Sequence, residues 1–327
     1  MIIITGGAGM IGSIIAWHIN TILGRNDIVI VDHIIHDEQW QNLAHRQYVE
    51  YLDRDQLFDY LDAHDDIDAV IHMGAISATT ERDFNKLVDA NIHYSQNLWT
   101  WCAQHSVPFF YASSAATYGN GDAGYDDATI NNLRPLNAYG YSKHFFDQWV
   151  LKQTHENMPP AWAGFKFFNV YGPNEYHKER MASVAYHTFK QVIQTGEMKL
   201  FKGTKAGVLD GEQQRDFVYV KDAAAIVVHF MNASLTDKPA TNGIYNIGTG
   251  QARSFKDLAT AVMTSMNQTP HIKYIDMPED LRGKYQYFTQ APIEKLRFAG
   301  YHLPMTSLED GIKDYVQNYL MQADPYC

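Results

Sequence analysis

The sequence predicts an α/β fold, a doubly wound parallel sheet followed by a smaller C-terminal α/β lobe. Three observations predict it: short apolar runs alternate with helix-period segments through the first half, a glycine-rich turn joins the first run to the first helical segment, and the alternation loosens after about residue 170. Repetition of strand, helix and strand places a parallel sheet between two layers of helices. The 327 residues, 46% hydrophobic and 19% charged, suffice for one large or two small folded domains and exclude a disordered chain.

The strand-like runs are Ile2–Thr5, Ile28–Val31, Ala69–His72, Pro108–Ala112 and Gly164–Val170. Helical spacing falls between them in Ile11–Ile22, Asn85–His105 and Tyr139–Thr154. The polar, glycine-containing stretch Lys202–Glu212 reads as an exposed loop. Phe217–Val220 and Ile244–Ile247 are expected to rejoin the main sheet, with helices near Ser254–Met266 and Leu308–Tyr319 building the smaller lobe. Residues 1–169 plus about 216–248 then form a dinucleotide-binding domain, and about 170–215 plus 249–327 a substrate domain. The ligand cleft is expected at the carboxyl ends of the strands.

A formal net charge of −11 gives no footprint for nucleic acid, which needs clustered Lys and Arg. Two cysteines, Cys102 and Cys327, argue against a disulfide scaffold and a cysteine zinc site. No secretory leader is expected, and no apolar stretch approaches the roughly 20 residues of a membrane span. The expectation is a soluble, cytoplasmic protein without metal.

Thr5-Gly6-Gly7-Ala8-Gly9-Met10-Ile11-Gly12 lies between the first strand and the first helix. Glycines at 6, 9 and 12 permit a tight turn, a close approach of backbone amides to a pyrophosphate, and close helix–strand packing. The helix start then offers unpaired N–H groups to the phosphates. Asp32 ends the second strand 20 residues after Gly12, where a carboxylate accepts from an adenosine ribose. Either feature alone is weak; in this order they predict a Rossmann-like site for NAD(P). Arg54 is the candidate cation for a 2′-phosphate, and Gln39 offers only a neutral contact.

Tyr139-Gly-Tyr-Ser-Lys143 sets a phenol and an ammonium four residues apart, on one helix face. A phenol ionises near ~10, and bringing it to about 7 takes roughly 4 kcal/mol. One cation ~4 Å away at an effective dielectric of 20 supplies about that much. Lys143 is expected to be that cation. The spacing recurs by accident on amphipathic helices, so its weight comes from Ser114 at a strand end, a candidate for holding the substrate hydroxyl.

Further matches follow in order: Tyr111–Gly119, Pro135–Lys143, Phe168–Pro173, His177-Lys178 with Met181–Val184, Arg215–Val220 and Tyr285–Gln290. Together these stretches resemble the extended short-chain dehydrogenase/reductase family over nearly the whole chain, and within it the epimerases that act at C6 of ADP-linked heptose. The resemblance implies an isomerase with Tyr139, Lys143, Lys178 and Ser114 as catalytic residues, Lys178 being a second base. It implies cofactor contacts at Gly6, Gly9, Met10, Ile11, Gly12, Asp32, His33, Gln39, Arg54, Met73, Gly74, Ala75, Ile76, Ser77, Asn91 and Val170, besides Tyr139, Lys143 and Lys178. The substrate contacts it implies are Ser114, Asn169, Arg180, His187, Phe201, Arg215 and Tyr285. NADP is the implied cofactor, with NAD as the alternative, and ADP-heptose the implied substrate, for the lipopolysaccharide core. A homo-oligomer, by resemblance a pentamer, is also implied.

Three departures stand out. Gln39 stands where that branch commonly has a lysine for the 2′-phosphate, the Lys202–Gln214 loop is longer than the branch leads one to expect, and Arg180 stands where a smaller residue is usual. Arg54, at the position of another such lysine, is consistent with NADP. The rival readings are a UDP-hexose 4-epimerase and a dinucleotide-sensing regulator; Lys178 argues against the first and the intact tyrosine–lysine pair against the second. A 4,6-dehydratase is disfavoured because Ser114 is followed by Ala115 and Ala116 rather than an Asp-Glu pair.

Overall fold

Ile2, Ile3 and Ile4 have no solvent exposure, as a central strand covered on both faces requires. Their alternation sends Ile2 and Ile4 into one core and Ile3 into another on the opposite face of the sheet. The computed structural model describes residues 1–205, 207–236, 242–279 and 286–327.

Strands β1 (Ile2–Thr5), β2 (Ile28–Asp32), β3 (Glu50–Asp53), β4 (Ala69–His72), β5 (Phe109–Ser114) and β6 (Trp162–Phe167) form the main sheet with β10 (Gly243–Ile247). Between β6 and β10 come β7 (Asn169–Tyr171), β8 (Met198–Phe201) and β9 (Gln214–Tyr219); β11 (Ala252–Ser254) and β12 (Ile272–Ile275) follow. The main sheet runs β10-β6-β5-β4-β1-β2-β3 and is parallel throughout. Chain order reverses on either side of β1, so the crevice for a ligand opens beyond its carboxyl end.

The helices are α1 (Met10–His18), α2 (Leu57–Ala63), α3 (Phe84–Leu87), α4 (Tyr94–Gln104), α5 (Ala138–Val150), α6 (Val184–Thr195), α7 (Val220–Ser234), α8 (Phe255–Ser265), α9 (Glu294–Phe298) and α10 (Leu308–Tyr315). Helices α1 and α7 share one core with α8 and α10, whereas α2, α4 and α5 pack on the other. No helix among the described residues is long and apolar enough to cross a membrane.

Several expectations need correction. Ile244–Ile247 does rejoin the main sheet, but Phe217–Val220 does not: β9 pairs parallel with β7 and antiparallel with β11, and Val220 opens α7. Gly164–Val170 is not one strand. It breaks at Phe168, whose N–H donates to the Ile247 carbonyl, and the chain leaves for the second sheet as β7. Asn85–His105 is interrupted by a π-helical stretch, Val88–His93, which carries Asn91. Strand β3, half-exposed at the sheet edge, has too little apolar signal to be read from sequence. The 202–214 segment has no regular element between β8 and β9 among its described residues.

Candidate active site

Gly6 has φ of +65°, and a Cβ there would lie 2.5 Å from the Gly74 nitrogen. The turn after β1 therefore presses directly on the loop after β4, backbone against backbone. A Cβ on Gly12 would lie 2.2 Å from the Gly6 carbonyl oxygen, so α1 seats on the turn only because that position is bare. Gly9 precedes α1 in extended conformation and gives it no side-chain cap. The first N–H groups of α1, at Met10 and Ile11, are thus left for a ligand anion, and the bare turn is the cradle a pyrophosphate requires.

Asp32, at the end of β2, braces this turn. One carboxylate oxygen accepts from the Ala8 N–H at 2.8 Å and the other from the His33 N–H at 2.8 Å. Burial pushes its carboxyl up, and those backbone donors oppose the push. On the other side Asn42 donates to the Ala8 carbonyl at 2.8 Å and lies 3.2 Å from His177 Nδ1. The neighbouring Lys178 is half-buried, with Nζ 3.8 Å from Met10 Sδ at the start of α1. Burial pulls the Lys178 ammonium down, with Glu175 opposing. Sequence positions 10 and 178 thus meet at the cofactor crevice. Glu179, next along, has φ of 47° and ψ of −119° inside the short 3-10 stretch, a strained backbone for a residue with a side chain.

Helix α5 begins at Asn137, whose side chain caps it by accepting from the Gly140 N–H at 2.8 Å. Tyr139 and Lys143 follow on one face. Asn91 holds the helix to the crevice: its amide donates to Ser142 Oγ at 3.0 Å and to the Ile76 carbonyl at 3.0 Å, and its oxygen accepts from the Ile76 N–H at 2.9 Å. Ile76 lies two residues beyond Gly74, which touches Gly6. This chain of contacts sets the tyrosine–lysine helix beside the glycine turn. Asn91 therefore acts as a tie, with its amide committed to protein partners. Beneath it His72 bonds Thr5 Oγ1 at 2.6 Å and Ser95 Oγ at 2.8 Å, and Ser95 donates to the Asn91 carbonyl.

Ser114 ends β5, and its Oγ accepts from the Ala116 N–H at 3.1 Å. It also hydrogen-bonds Tyr139, which draws the phenol's pKa down, but burial dominates and raises it above its ordinary value. Burial lowers Lys143 to about 8, with the Asp147 carboxylate opposing. The expectation that Lys143 acidifies the phenol is corrected here. An ammonium that loses its proton near 8 is already neutral when a phenol raised above 10 would ionise. The protein residues by themselves hold Tyr139 as a neutral hydrogen-bonding acid.

The remaining candidates are spread along the crevice. Met73 donates its N–H to the Thr5 carbonyl at 2.9 Å and Gly74 donates to Thr5 Oγ1 at 3.2 Å, whereas Ser77 is exposed. His33 pairs with Asp53 at 2.8 Å, and Arg54, half-exposed, lies 3.4 Å from Asp55. Gln39 is buried rather than presented to the crevice mouth. On β7, Val170 is half-buried and Asn169 exposed. Arg180 is exposed, and His187 reaches only its carbonyl at 3.4 Å. Phe201 ends β8, and Arg215, buried on β9, lies 5.5 Å above the Phe255 ring. Tyr285 lies outside the described residues. Asn42, His72, Ser142 and Asp147 were not singled out from sequence. Only the spacing of Asp147, one turn beyond Lys143, carried any signal.

Fold and site together define a class: a dinucleotide-binding α/β enzyme whose tyrosine–lysine helix is tied to its glycine turn. The chain belongs to the NAD dependent epimerase/dehydratase family, which it matches over residues 2–248. Among curated relatives it is 52% identical to the ADP-L-glycero-D-manno-heptose-6-epimerase of Fusobacterium nucleatum and 49% identical to that of Nitratidesulfovibrio vulgaris, each match covering 100% of both chains. Among solved structures, the ADP-L-glycero-D-manno-heptose-6-epimerase of Helicobacter pylori superposes with a TM-score of 0.80 at 31% identity, over 97% of this chain and 95% of that one.

Proposed function

We propose that this protein interconverts ADP-D-glycero- and ADP-L-glycero-D-manno-heptose by oxidation and re-reduction at C6, with NADP retained throughout. The observation that carries the reading is Lys178 Nζ at Met10, beside the glycine turn, which supports Lys178 as a second proton-transfer group besides Tyr139. An epimerase that strips hydride from one face of C6 and returns it to the other meets the C6 oxygen in two poses. One group per pose answers that need.

When bound, NADP supplies the hydride acceptor and donor and, when oxidised, a positive ring charge. Gly6, Gly9 and Gly12 with the open start of α1 hold its pyrophosphate, and Asp32 its ribose. Arg54 is the cation for a 2′-phosphate. With that ring charge beside it Tyr139 would ionise and take the proton of the C6 hydroxyl, with Ser114 fixing that hydroxyl. For the C6 oxygen in its second pose, Lys178 would be the group that supplies the proton. Lys143 positions the ribose of the nicotinamide. Arg215, with Arg180 and His187, faces the diphosphate and sugar, and Asn169, Phe201 and Tyr285 complete the substrate side.

The same reading assigns residues 1–169 and about 216–248 to the cofactor, and about 170–215 and 249–327 to the substrate. It places the enzyme in the cytoplasm as a homo-oligomer, a pentamer, serving lipopolysaccharide core synthesis. The test is incubation of pure protein with ADP-D-glycero-D-manno-heptose and assignment of the C6 configuration of the product. Conversion is expected, and Tyr139→Phe abolishes it; an unchanged rate in that variant would remove the tyrosine from the chemistry.

A further inference from the structure

Behind the tyrosine–lysine face, α5 carries a polar residue for which the chemistry above has no use. Asp147 lies two turns beyond Tyr139 and one beyond Lys143, with no solvent exposure. Its Oδ2 accepts from Lys166 Nζ at 2.6 Å and from Ser113 Oγ at 2.7 Å, and its Oδ1 accepts from the Tyr111 hydroxyl at 3.0 Å. Lys166, on β6 and equally buried, also donates to Thr117 Oγ1 at 2.7 Å and lies 5.2 Å above the Tyr118 ring. A buried ion pair is weak support for stability, because desolvation consumes most of the Coulomb gain, and apolar residues of similar volume often serve as well. What distinguishes this pair is what it joins. Tyr111 and Ser113 belong to the strand that ends in Ser114, Thr117 to the turn that Ser114 caps, and Asp147 to the helix of Tyr139 and Lys143.

We propose that Asp147, seated on Lys166, is a positioning residue that clamps the Ser114 strand to the Tyr139–Lys143 helix and sets the electrostatic field in which that couple works. The proposal rests on the catalytic reading of Tyr139 and Lys143. The charged and titratable groups around the couple are His72 on β4, Lys166 on β6, His144 and Asp147 on α5 itself, and Arg134 in the preceding loop, which acts on His144. Of these, Asp147 bears on both reacting groups, and its negative charge holds the proton on each of them. Lys166 balances that charge.

The direction of the effect follows. Removing the carboxylate lets Tyr139 and Lys143 both release their protons more easily, so both limbs of the rate profile move to lower pH. A charge one or two helical turns away, at an effective dielectric near 20–40, displaces a limb by about 0.5–2 pH units. The experiment compares kcat and KM for ADP-heptose epimerisation across pH in wild type, Asp147→Asn, Asp147→Glu and the double variant Asp147→Asn/Lys166→Met, with Tyr139→Phe as reference. Asp147→Asn is expected to lower kcat about 10-fold or more, with KM within about 2-fold, and to move both limbs down. Asp147→Glu restores the limbs. The double variant leaves no buried charge unpaired and therefore carries the test if the single one does not fold. It is expected to lose rate through the lost clamp while its limbs stay closer to wild type. Wild-type kcat and limbs in the double variant would overturn the proposal, as would an Asp147→Asn enzyme that folds and keeps its limbs. Retained activity in Tyr139→Phe would instead overturn the catalytic reading on which the proposal stands.

Discussion

His72 makes the cofactor crevice sensitive to acid. It is fully enclosed at the end of β4, bonded to Thr5 and Ser95, and burial together with the nearby Lys143 charge lowers it from 6.5 to about 3. In the unfolded chain the imidazole takes its proton near 6.5, so between that pH and about 3 the unfolded state binds more protons. Stability is full above about pH 6.5 and falls as pH drops through the window. At ~1.4 kcal/mol per pH unit, acidification from pH 7 to 5 removes about 2 kcal/mol through this one residue. His72→Gln abolishes the titration while keeping one donor and one acceptor for Thr5 and Ser95. The assay is urea unfolding of wild type and variant at both pH values. His177, lowered to about 4, contributes to both proteins and cancels in the comparison. Wild type is expected to lose about 0.7 M more of its midpoint than the variant, for a slope of about 3 kcal/mol per M. Equal losses in the two proteins would mean that His72 is not held neutral in the fold, and that the network under Asn91 does not depend on it.

Three further outcomes are expected. Lys178→Met, which retains an apolar stem beside Met10, slows epimerisation about 100-fold or more while cofactor fluorescence titration gives an affinity within about 3-fold of wild type; a near-normal rate would return Lys178 to a structural role. Gly12→Ala places a Cβ 2.2 Å from the Gly6 oxygen, so the turn must shift, and cofactor affinity falls about 10-fold or more despite alanine's better helix propensity. Unchanged binding there would show that α1 can move aside. Arg54→Gln weakens NADP about 10-fold and leaves NAD unaffected in parallel titrations, and equal weakening of both would separate Arg54 from the 2′-phosphate.

Much of the site was legible because its parts are local. Glycines at fixed offsets after a strand, a carboxylate at the next strand end and two side chains on one helix face are all short-range patterns. Each reads from a window of a few residues. What escaped were groups whose role depends on partners far along the chain. Asp147 and Lys166 carry no mark in the local pattern that they pair, and neighbours from β5 and the following turn enclose them completely. Asn91 was expected at the cofactor, but its tie to Ser142 and Ile76 was not, because only the π-helical stretch against the loop after β4 makes it. The electrostatic argument for the tyrosine failed for the same reason. It assumed a lysine in partly aqueous surroundings, and burial lowered the lysine and raised the phenol together.

From its order of residues alone, this chain determined a parallel sheet, a dinucleotide turn and a tyrosine–lysine helix, since strand alternation, glycine backbone freedom and helix periodicity are set within each segment. The three-dimensional packing decided that β9 leaves the main sheet for β7 and β11, that Lys178 arrives at Met10, and which protons the reacting groups hold. Those outcomes depend on desolvation and on contacts between segments far apart along the chain, which no local pattern carries.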